Sequence, residues 1–266
     1  MTNKTMKILI TAGGTSEAID PVRSITNYST GRLGSIIADE FAQKNAEVFY
    51  ISGSDGVLPS SKKVAVIRIK DVQGLTQALD RLLKEHKYDC VIHSMAVSDF
   101  TPQAVLNLDD IITSVASAVN GQKSCMNTQD LELTTCQMAS LIREAVLSSG
   151  KPPGQEKISS KNSDLVVLFK QTPKAIKMIK AIQPETILVG FKLLSGAPED
   201  ALLQAANNLL TQNSCDFVLA NDMTDIAGDQ HKAILIDKNG PVQKVNTKQE
   251  IAKAIYKAIL ERNKTH

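Results

Sequence analysis

The segment NYSTGRLG, residues 27–34, concentrates groups that bind phosphate in proteins. Ser29 and Thr30 lead through a glycine into Arg32, where apolar residues begin to recur at helical spacing. Hydroxyls, free backbone amides, the positive end of a helix dipole and a guanidinium would then meet at one place. A hydroxyl residue that caps the helix beside a solvated arginine is the alternative. Capping alone requires neither the two glycines of this segment nor the amide of Asn27, so phosphate binding is favoured.

A second candidate segment, Gly13-Gly14-Thr15, ends the first apolar run of the chain. Glycines here would let backbone N–H groups approach an anion, but they serve equally well in any tight turn. The triplet alone leaves these two interpretations open. A nicotinamide dehydrogenase is the obvious alternative for a glycine turn after a first strand. The stretch AGGTSEAIDPV lacks the G-x-G-x-x-G spacing, however, and the following apolar run EVFYIS ends in GSDG rather than a clean acidic residue.

Other candidate residues lie singly along the chain. Asp99 follows a third apolar run at a ligand-facing position, although it could instead form a turn before Pro102. Lys157 and Lys161 end a stretch rich in Gly, Ser and Pro. A lysine there is usually just solvated, but a closing loop would bring its charge to a developing anion. His93 is interpreted as a core residue rather than a base. The sequence contains no G-x-S-x-G, H-E-x-x-H or Walker lysine motif.

The elements that must position these residues alternate between strand and helix. We therefore predict an α/β fold, a Rossmann-like, doubly wound, mostly parallel sheet. Ligands of such a sheet bind beyond the carboxyl ends of its strands, which selects the loops 13–32, 95–102, 191–196 and 221–226. The predicted strands are KILIT, EVFYIS, DCVIHSMAV, DLVVLFK, TILVGFK, CDFVLAN and KAILID. The predicted helices are LGSIIADEFAQKNA, DVQGLTQALDRLLKEH, TPKAIKMIKAI, PEDALLQAANNLL and TKQEIAKAIYKAIL.

One segment interrupts this alternation. Residues 101–161 combine weak helical signals with NGQKSCMNT and SSGKPPGQ, the latter a composition typical of a linker or flap. We predict a single Rossmann-like domain over residues 1–266. Its core would comprise about 6–100 and 162–266, and about 101–161 would form an inserted flap or lid.

Bulk composition limits the class of protein. The chain has 266 residues, 42% of them hydrophobic, and a formal net charge of +2 without a dense Lys/Arg block, which argues against nucleic-acid binding. Its four cysteines form no C-x-x-C pair, as expected for reduced cytosolic thiols rather than disulfides or zinc ligands. The first apolar run is too short for a signal peptide or a membrane span. We predict a cytoplasmic protein without nucleic-acid or membrane partners.

Several motifs in a fixed order resemble the phosphopantothenate–cysteine ligases of coenzyme A biosynthesis. The stretch TAGGTSEAIDPVRSITNYSTGRLG is similar to the amino-terminal signature of that family, and AVSDF, EKISSK, LVGFKL and VLAND follow in the family's order. The resemblance covers nearly the whole chain. It is closest to the stand-alone bacterial ligases of streptococcal type.

This resemblance implies a two-step reaction with Mg²⁺ present. The carboxylate of 4'-phosphopantothenate attacks the α-phosphate of a nucleoside triphosphate, which gives an acyl-nucleotidyl intermediate and pyrophosphate. The cysteine amine then displaces the nucleoside monophosphate and forms the amide. The implied partners are thus small molecules: 4'-phosphopantothenate, cysteine and the nucleotide.

The resemblance leaves several properties open. Bacterial members generally prefer CTP, so CTP is favoured over ATP as co-substrate. No flavin is expected, because the chain carries no upstream flavin-dependent decarboxylase half. Family members often form homodimers, and the magnesium ligands stay unassigned. The alternatives are the same ligation with ATP and an NADP-binding Rossmann oxidoreductase or sensor.

The resemblance also implies roles for individual residues. Asn27 matches an essential asparagine that holds the intermediate during cysteine attack. Lys157 matches an essential flap lysine that stabilises charge on the α-phosphate and the activated carboxyl group. Asp99 matches a nucleotide-contacting aspartate, and Phe191 matches a residue near the base. The other implied nucleotide contacts are Pro173, Lys174, Ala175 and Ile176, and the implied anion pocket comprises Gly14, Thr15, Asn27, Ser29, Thr30, Gly31 and Arg32.

Two departures from the family pattern concern the triphosphate and the insert. The bifunctional bacterial enzymes carry two triphosphate-directed lysines where this chain has Leu209 and Asn213. Replacements would have to come from elsewhere, for which Lys161, Lys174 and Lys192 are the candidates. The family also often has an aspartate where Lys174 stands, and the segment 101–156 is longer here than in bifunctional enzymes.

Overall fold

The computed structural model describes residues 5–125, 134–159 and 164–264 of the chain. These residues divide into two compact units. The core unit comprises the chain up to Ser16, Thr26–Ser98 and the chain from Pro173 onward, whereas the insert unit comprises Glu17–Ile25 and Asp99–Thr172.

Helices and strands alternate along most of the described chain. The helices are α1 Arg32–Gln43, α2 Val72–Glu85, α3 Leu108–Cys125, α4 Thr135–Ser148, α5 Ala175–Ile182, α6 Glu199–Gln212 and α7 Lys248–Lys264. The strands are β1 Lys7–Ala12, β2 Ser16–Ala18, β3 Ser24–Thr26, β4 Glu47–Gly53, β5 Ala65–Ile69, β6 Cys90–His93, β7 Phe100–Asn107, β8 Leu165–Gln171, β9 Ile187–Leu194, β10 Phe217–Ala227, β11 Gln230–Asp237 and β12 Gly240–Thr247.

An eight-stranded sheet forms the centre of the core unit, in the order β12-β11-β10-β9-β6-β1-β4-β5. The six strands from β10 to β5 pair in parallel, and β11 and β12 extend the sheet as antiparallel strands at one edge. Alternate residues of each buried strand face opposite sides. Ile8 and Ile10 pack with α1 and α7, whereas Leu9 packs with α2, α5 and α6. This confirms the predicted Rossmann-like α/β fold.

The insert unit differs from the sequence-based prediction. The run DLVVLFK was predicted as a strand of the main sheet, but it forms β8, which pairs antiparallel with β7 in a separate two-stranded sheet. The segment 101–161 contains β7, α3 and α4 in addition to the glycine- and proline-rich stretch. The unit also extends to Thr172 and includes Glu17–Ile25, so its bounds differ from the predicted insert.

The third predicted strand, Asp89–Val97, is shorter than expected. Strand β6 ends at His93, because from Ser94 the chain follows the loop after β1 through hydrogen bonds from Ser94 N to Thr11 O and from Ala96 N to Gly13 O.

Within the described residues, no helix is both long and apolar enough to cross a membrane.

Candidate functional site

Two glycine-containing segments of the core unit pack backbone against backbone at the end of β1. A Cβ atom on Gly14 would lie 2.6 Å from the carbonyl oxygen of Asn27, and one on Gly31 would lie 2.9 Å from the amide nitrogen of Gly13. Gly31 also has a φ of 73°, in the left-handed region that favours glycine. Glycine is therefore required for these segments to approach each other, and the approach holds Asn27 beside the end of β1.

Thr15 links this loop to its neighbours. Its Oγ1 accepts a hydrogen bond from Ser98 N at 3.0 Å, and its carbonyl oxygen accepts one from Thr26 Oγ1, also at 3.0 Å. The residue is fully buried. The hydroxyl predicted to contact an anion thus supports the backbone of the loop, and it holds the segment after β6 against the segment after β1.

The segment 27–31 leads into α1 without a side-chain cap. Gly31 is the N-cap residue, so no side chain accepts from the first amides of the helix at that position. Asn27 and Ser29 are half-buried, and Thr30 is exposed. Thr30 is held from both sides, because its carbonyl accepts from Val57 N at 2.9 Å and its Oγ1 lies 3.4 Å from Arg32 N. The N-cap position therefore belongs to Gly31 and not to Ser29 or Thr30, although the Thr30 hydroxyl accepts from the first helical amide, and the helix directs its positive dipole end beside Asn27.

The guanidinium of Arg32 is paired with a carboxylate. Its Nη2 is 3.1 Å from Asp229 Oδ1, in an exposed ion pair. It lines a cleft of about 510 Å³ together with Ser35 at the start of α1 and the buried Lys248 at the start of α7. A phosphate contact by Arg32, as predicted, would require its guanidinium to leave or share Asp229.

The predicted nucleotide residues of the core unit lie at the start of α5 and on β9. Pro173 and Lys174 are exposed, whereas Ala175 is buried and Ile176 is half-buried against the apolar cluster beneath α2, α5 and α6. Lys174 is the N-cap residue of α5 and makes no side-chain cap. Phe191 is half-buried against the cluster on the other face of the sheet. The side chains of the exposed pair and the exposed parts of Ile176 and Phe191 are thus accessible, whereas Ala175 offers only its backbone.

Asp222, which sequence reasoning missed, lies within β10 and joins that strand to the loop after β9. Its carboxylate accepts from the backbone N–H groups of Gly196, Ala197 and Thr224 and from the Thr224 hydroxyl, at 2.6–3.0 Å. The Thr224 hydroxyl, followed by these backbone donors, holds the pKa of Asp222 well below its usual range. The signal available in the sequence was the VLAND motif, in which an aspartate directly follows a buried strand.

The insert unit contains the other two predicted polar residues. Asp99 is exposed, and its carbonyl oxygen accepts from Thr172 N at 3.0 Å where β7 and β8 meet. Lys157 is exposed and lines a cavity of about 470 Å³ that also has Asp110, Lys151 and Glu156 on its walls. Lys161 lies outside the described residues. Lys157 therefore belongs to a shaped polar cavity of this unit.

Three further candidate residues of the core unit, Leu209, Asn213 and His93, make contacts within the fold. Leu209 packs against an apolar cluster, and Asn213 donates from Nδ2 to the carbonyl of Leu209 at the end of α6. His93 is buried with its Nδ1 2.8 Å from Thr11 Oγ1, and burial lowers its pKa to about 4, so it is neutral at neutral pH but too weak a base to hold a proton there. Among the residues that the model covers, no group of three or more His, Cys, Asp or Glu side chains could hold a metal ion.

Comparison with known proteins identifies the family. The model of the DNA/pantothenate metabolism flavoprotein C-terminal domain matches residues 3–108 and 113–262. The chain belongs to this family. The family resemblance read from the ordered motifs is thereby confirmed.

Solved structures share the fold over nearly the whole chain, and a curated relative matches nearly all of it in sequence. A crystal structure of the DNA/pantothenate metabolism flavoprotein from Streptococcus pneumoniae is 35% identical with a TM-score of 0.77, and the match covers 97% of this chain and 100% of that one. The coenzyme A biosynthesis bifunctional protein CoaBC of Thermococcus kodakarensis is 29% identical over 254 residues, which are 95% of this chain. A Cab2 mutant crystallised with phosphopantothenate-cysteine has a TM-score of 0.65 at 15% identity, which bears on the fold alone. The chain spans about half the length of the curated relatives it matches.

Proposed function

We propose that this chain is a phosphopantothenate–cysteine ligase, which joins 4'-phosphopantothenate to cysteine at the expense of a nucleoside triphosphate. Family membership and the coenzyme A biosynthesis relatives support the proposal. The observation that carries it is the glycine-supported approach of the Asn27 segment to the end of β1, beside the uncapped amino terminus of α1. That arrangement offers an amide side chain and backbone N–H groups to an anionic ligand.

The proposed chemistry needs no nucleophile from the protein. The substrate carboxylate attacks the α-phosphate and releases pyrophosphate, and the cysteine amine then displaces the nucleoside monophosphate from the acyl-nucleotidyl intermediate. The chain contributes by holding anionic groups together and by stabilising charge as it develops. His93, which is buried and neutral, takes no part in this scheme.

Specific side chains have distinct roles in the proposal. The amide of Asn27 holds the intermediate while cysteine attacks. The ammonium group of Lys157 stabilises charge on the α-phosphate and the activated carboxyl group during the first step. Asp99, Lys174 and Phe191 are proposed to contact the nucleotide, together with the backbone of Pro173, Ala175 and Ile176. The anion pocket is proposed to comprise Gly14, Ser29, Thr30, Gly31 and Arg32, with Thr15 supporting the loop behind them.

The co-substrate is proposed to be CTP, with Mg²⁺ bound to its phosphates. Magnesium usually keeps several waters and binds through substrate phosphates and one or two carboxylates, so a preformed cluster of acidic residues is unnecessary. Its charge would reduce repulsion between the triphosphate and the attacking carboxylate. ATP is the alternative, because Leu209 and Asn213 stand where bifunctional enzymes carry lysines.

The test is pyrophosphate release by the purified protein with 4'-phosphopantothenate, Mg²⁺ and either CTP or ATP, followed by cysteine addition. We expect release with CTP before cysteine is added and amide formation afterwards. Lys157→Gln should lose the first step, because removal of one charge-stabilising donor typically slows a reaction about 100-fold to 1,000-fold. Absence of pyrophosphate with both nucleotides would refute the function, and stabilisation by NADP in a thermal-shift assay would favour a dinucleotide-binding protein instead.

A further inference from the structure

The segment that carries Lys157 is attached at two points to the turn 19–23 of the insert unit. Gly154 N donates to Ile19 O at 3.1 Å, on the amino-terminal side of the lysine. On its carboxyl-terminal side, Ile158 N donates to Asp20 Oδ2 at 3.2 Å, and Arg23 Nη2 lies 3.4 Å from Ile158 O. Lys157 is thus the residue directly before the second attachment point.

Asp20 is the centre of the second attachment. Its side chain is completely buried, and its Oδ1 accepts from Val22 N at 2.8 Å and Arg23 N at 2.7 Å. Its Oδ2 accepts from Ile158 N and lies 3.6 Å from Arg23 Nε. One oxygen therefore closes the turn, and the other holds the distant segment.

Asp20 is held as a carboxylate by these partners. Burial alone would raise the pKa of Asp20, but the three backbone N–H donors and the charge of Arg23 outweigh it and lower the pKa. Both oxygens are acceptors only while the group is ionised. A buried carboxylate with this set of donors is rigid, which suits a group that must hold a backbone in one place.

We propose that Asp20 is a positioning residue for Lys157, fixing the backbone at Ile158 so that the preceding side chain projects into the cavity that it lines. The proposal rests on the proposed role of Lys157 in activating the substrate. Asp20 touches no substrate in this scheme and acts through the peptide bond between Lys157 and Ile158. The glycine- and proline-rich stretch before Lys157 is held to the turn by the hydrogen bond from Gly154 N.

The substitution Asp20→Asn tests this role with little change in volume. One amide oxygen can still close the turn, but the –NH₂ group then faces the N–H of Ile158 and cannot accept from it. We expect pyrophosphate release to fall about 100-fold, since displacement of a catalytic group by about 1 Å can have that effect. Asp109→Asn, at an exposed position in the first turn of α3, is the matched control and should stay within about twofold of wild type. Asp20→Glu, which keeps the charge and moves the carboxylate by one methylene, gives the same comparison if Asp20→Asn does not fold.

A double-mutant cycle separates positioning from general destabilisation. If Asp20 acts through Lys157, Asp20→Asn should change the residual rate of the Lys157→Gln variant by less than about twofold. A loss by the same factor in both backgrounds would overturn the proposal, as would an Asp20→Asn variant that is folded and fully active.

Limited trypsin digestion gives a measurement that does not depend on the reaction. Cleavage after Lys157, followed by mass spectrometry, should be faster in Asp20→Asn than in wild type and Asp109→Asn, because the backbone beside Lys157 is released. Faster cleavage supports the attachment even if no ligase activity is found. Unchanged cleavage in a folded Asp20→Asn variant would overturn it.

Discussion

The position of Asn27 depends on two glycines more than on its own contacts. The side chain is half-buried, and the carbonyl of the same residue packs where a Cβ of Gly14 would stand. The close packing fixes the backbone of Asn27, and with it the point from which the short amide side chain projects. That restriction suits a residue proposed to hold a reactive intermediate in one orientation.

Replacement of Asn27 by alanine should separate the two steps of the proposed reaction. We expect Asn27→Ala to release pyrophosphate but to form the amide about 100-fold more slowly, since it loses a preorganised hydrogen bond to the intermediate. The acyl-nucleotidyl species should then accumulate and be detectable by mass spectrometry. Asn246→Ala, an exposed asparagine of the same unit, is the control. Normal amide formation by Asn27→Ala would remove the residue from the second step.

Residue types that bind phosphate could be recognised in the sequence, but buried carboxylates could not. Asn27 and Ser29 are indicated by their neighbours in the chain, and Lys157 by the family resemblance. Asp20 and Asp222 are not indicated, because their partners are backbone N–H groups that no sequence pattern displays. In Asp20 one of those N–H groups is 138 residues away.

The glycine segments act as parts of one element pair, the end of β1 and the start of α1. Gly14→Ala would place a Cβ 2.6 Å from Asn27 O, against backbone that cannot move without disturbing α1. We expect a loss of about 1–3 kcal/mol in the free energy of unfolding, measured by urea denaturation, as is typical of overpacking. The Michaelis constant for 4'-phosphopantothenate should rise as well.

Gly121→Ala in α3 provides the control for this substitution. Apart from the neighbouring backbone of α3, no atom of the described residues lies within 4 Å of the Cβ it would add, and the residue is helical. Alanine there should leave stability unchanged or raise it by about 0.5–1 kcal/mol. Equal stability of the two variants would mean that the loop after β1 relaxes freely around the added methyl group.

The sequence predicts which segments form helices and strands where apolar residues recur with a clear period. It does not predict which strands pair with each other. Five of the six strands of the parallel sheet and their helices were predicted from such runs, but β5, the edge strand Ala65–Ile69, was not. Strand β8 has the same continuously apolar pattern, yet it pairs with β7 in another sheet. Strand β7 itself was missed, because Pro102 and Gln103 interrupt its apolar run and nothing local marks its partner.

Acid is expected to lower the stability of the folded chain through two kinds of titratable group, histidines and aspartates. Burial lowers the pKa of His93 to about 4, and burial with the charge of Lys248 lowers that of His231 to about 4 as well. The unfolded chain binds protons on these rings below pH 6.5, whereas the folded chain does not until about pH 4. Asp20 and Asp222 have lowered pKa values, so their stabilisation is complete above the ordinary carboxylate range and is lost only at lower pH. The two histidines therefore change the free energy of unfolding at higher pH than the two aspartates do.

The free energy of unfolding should consequently fall as pH decreases from 6.5 to 4, by about 3 kcal/mol for each of these histidines. Far-UV circular dichroism during urea denaturation is the measurement, because the chain has no tryptophan. His93→Asn, which keeps a hydrogen-bonding atom close to Thr11 Oγ1, should reduce the slope of stability against pH in that window and leave it unchanged below pH 4. The ring of His93 should titrate near pH 4 in ¹⁵N NMR spectra of the folded protein. An identical slope in wild type and His93→Asn would contradict this, because the ring would then have the same pKa in the folded and unfolded chains.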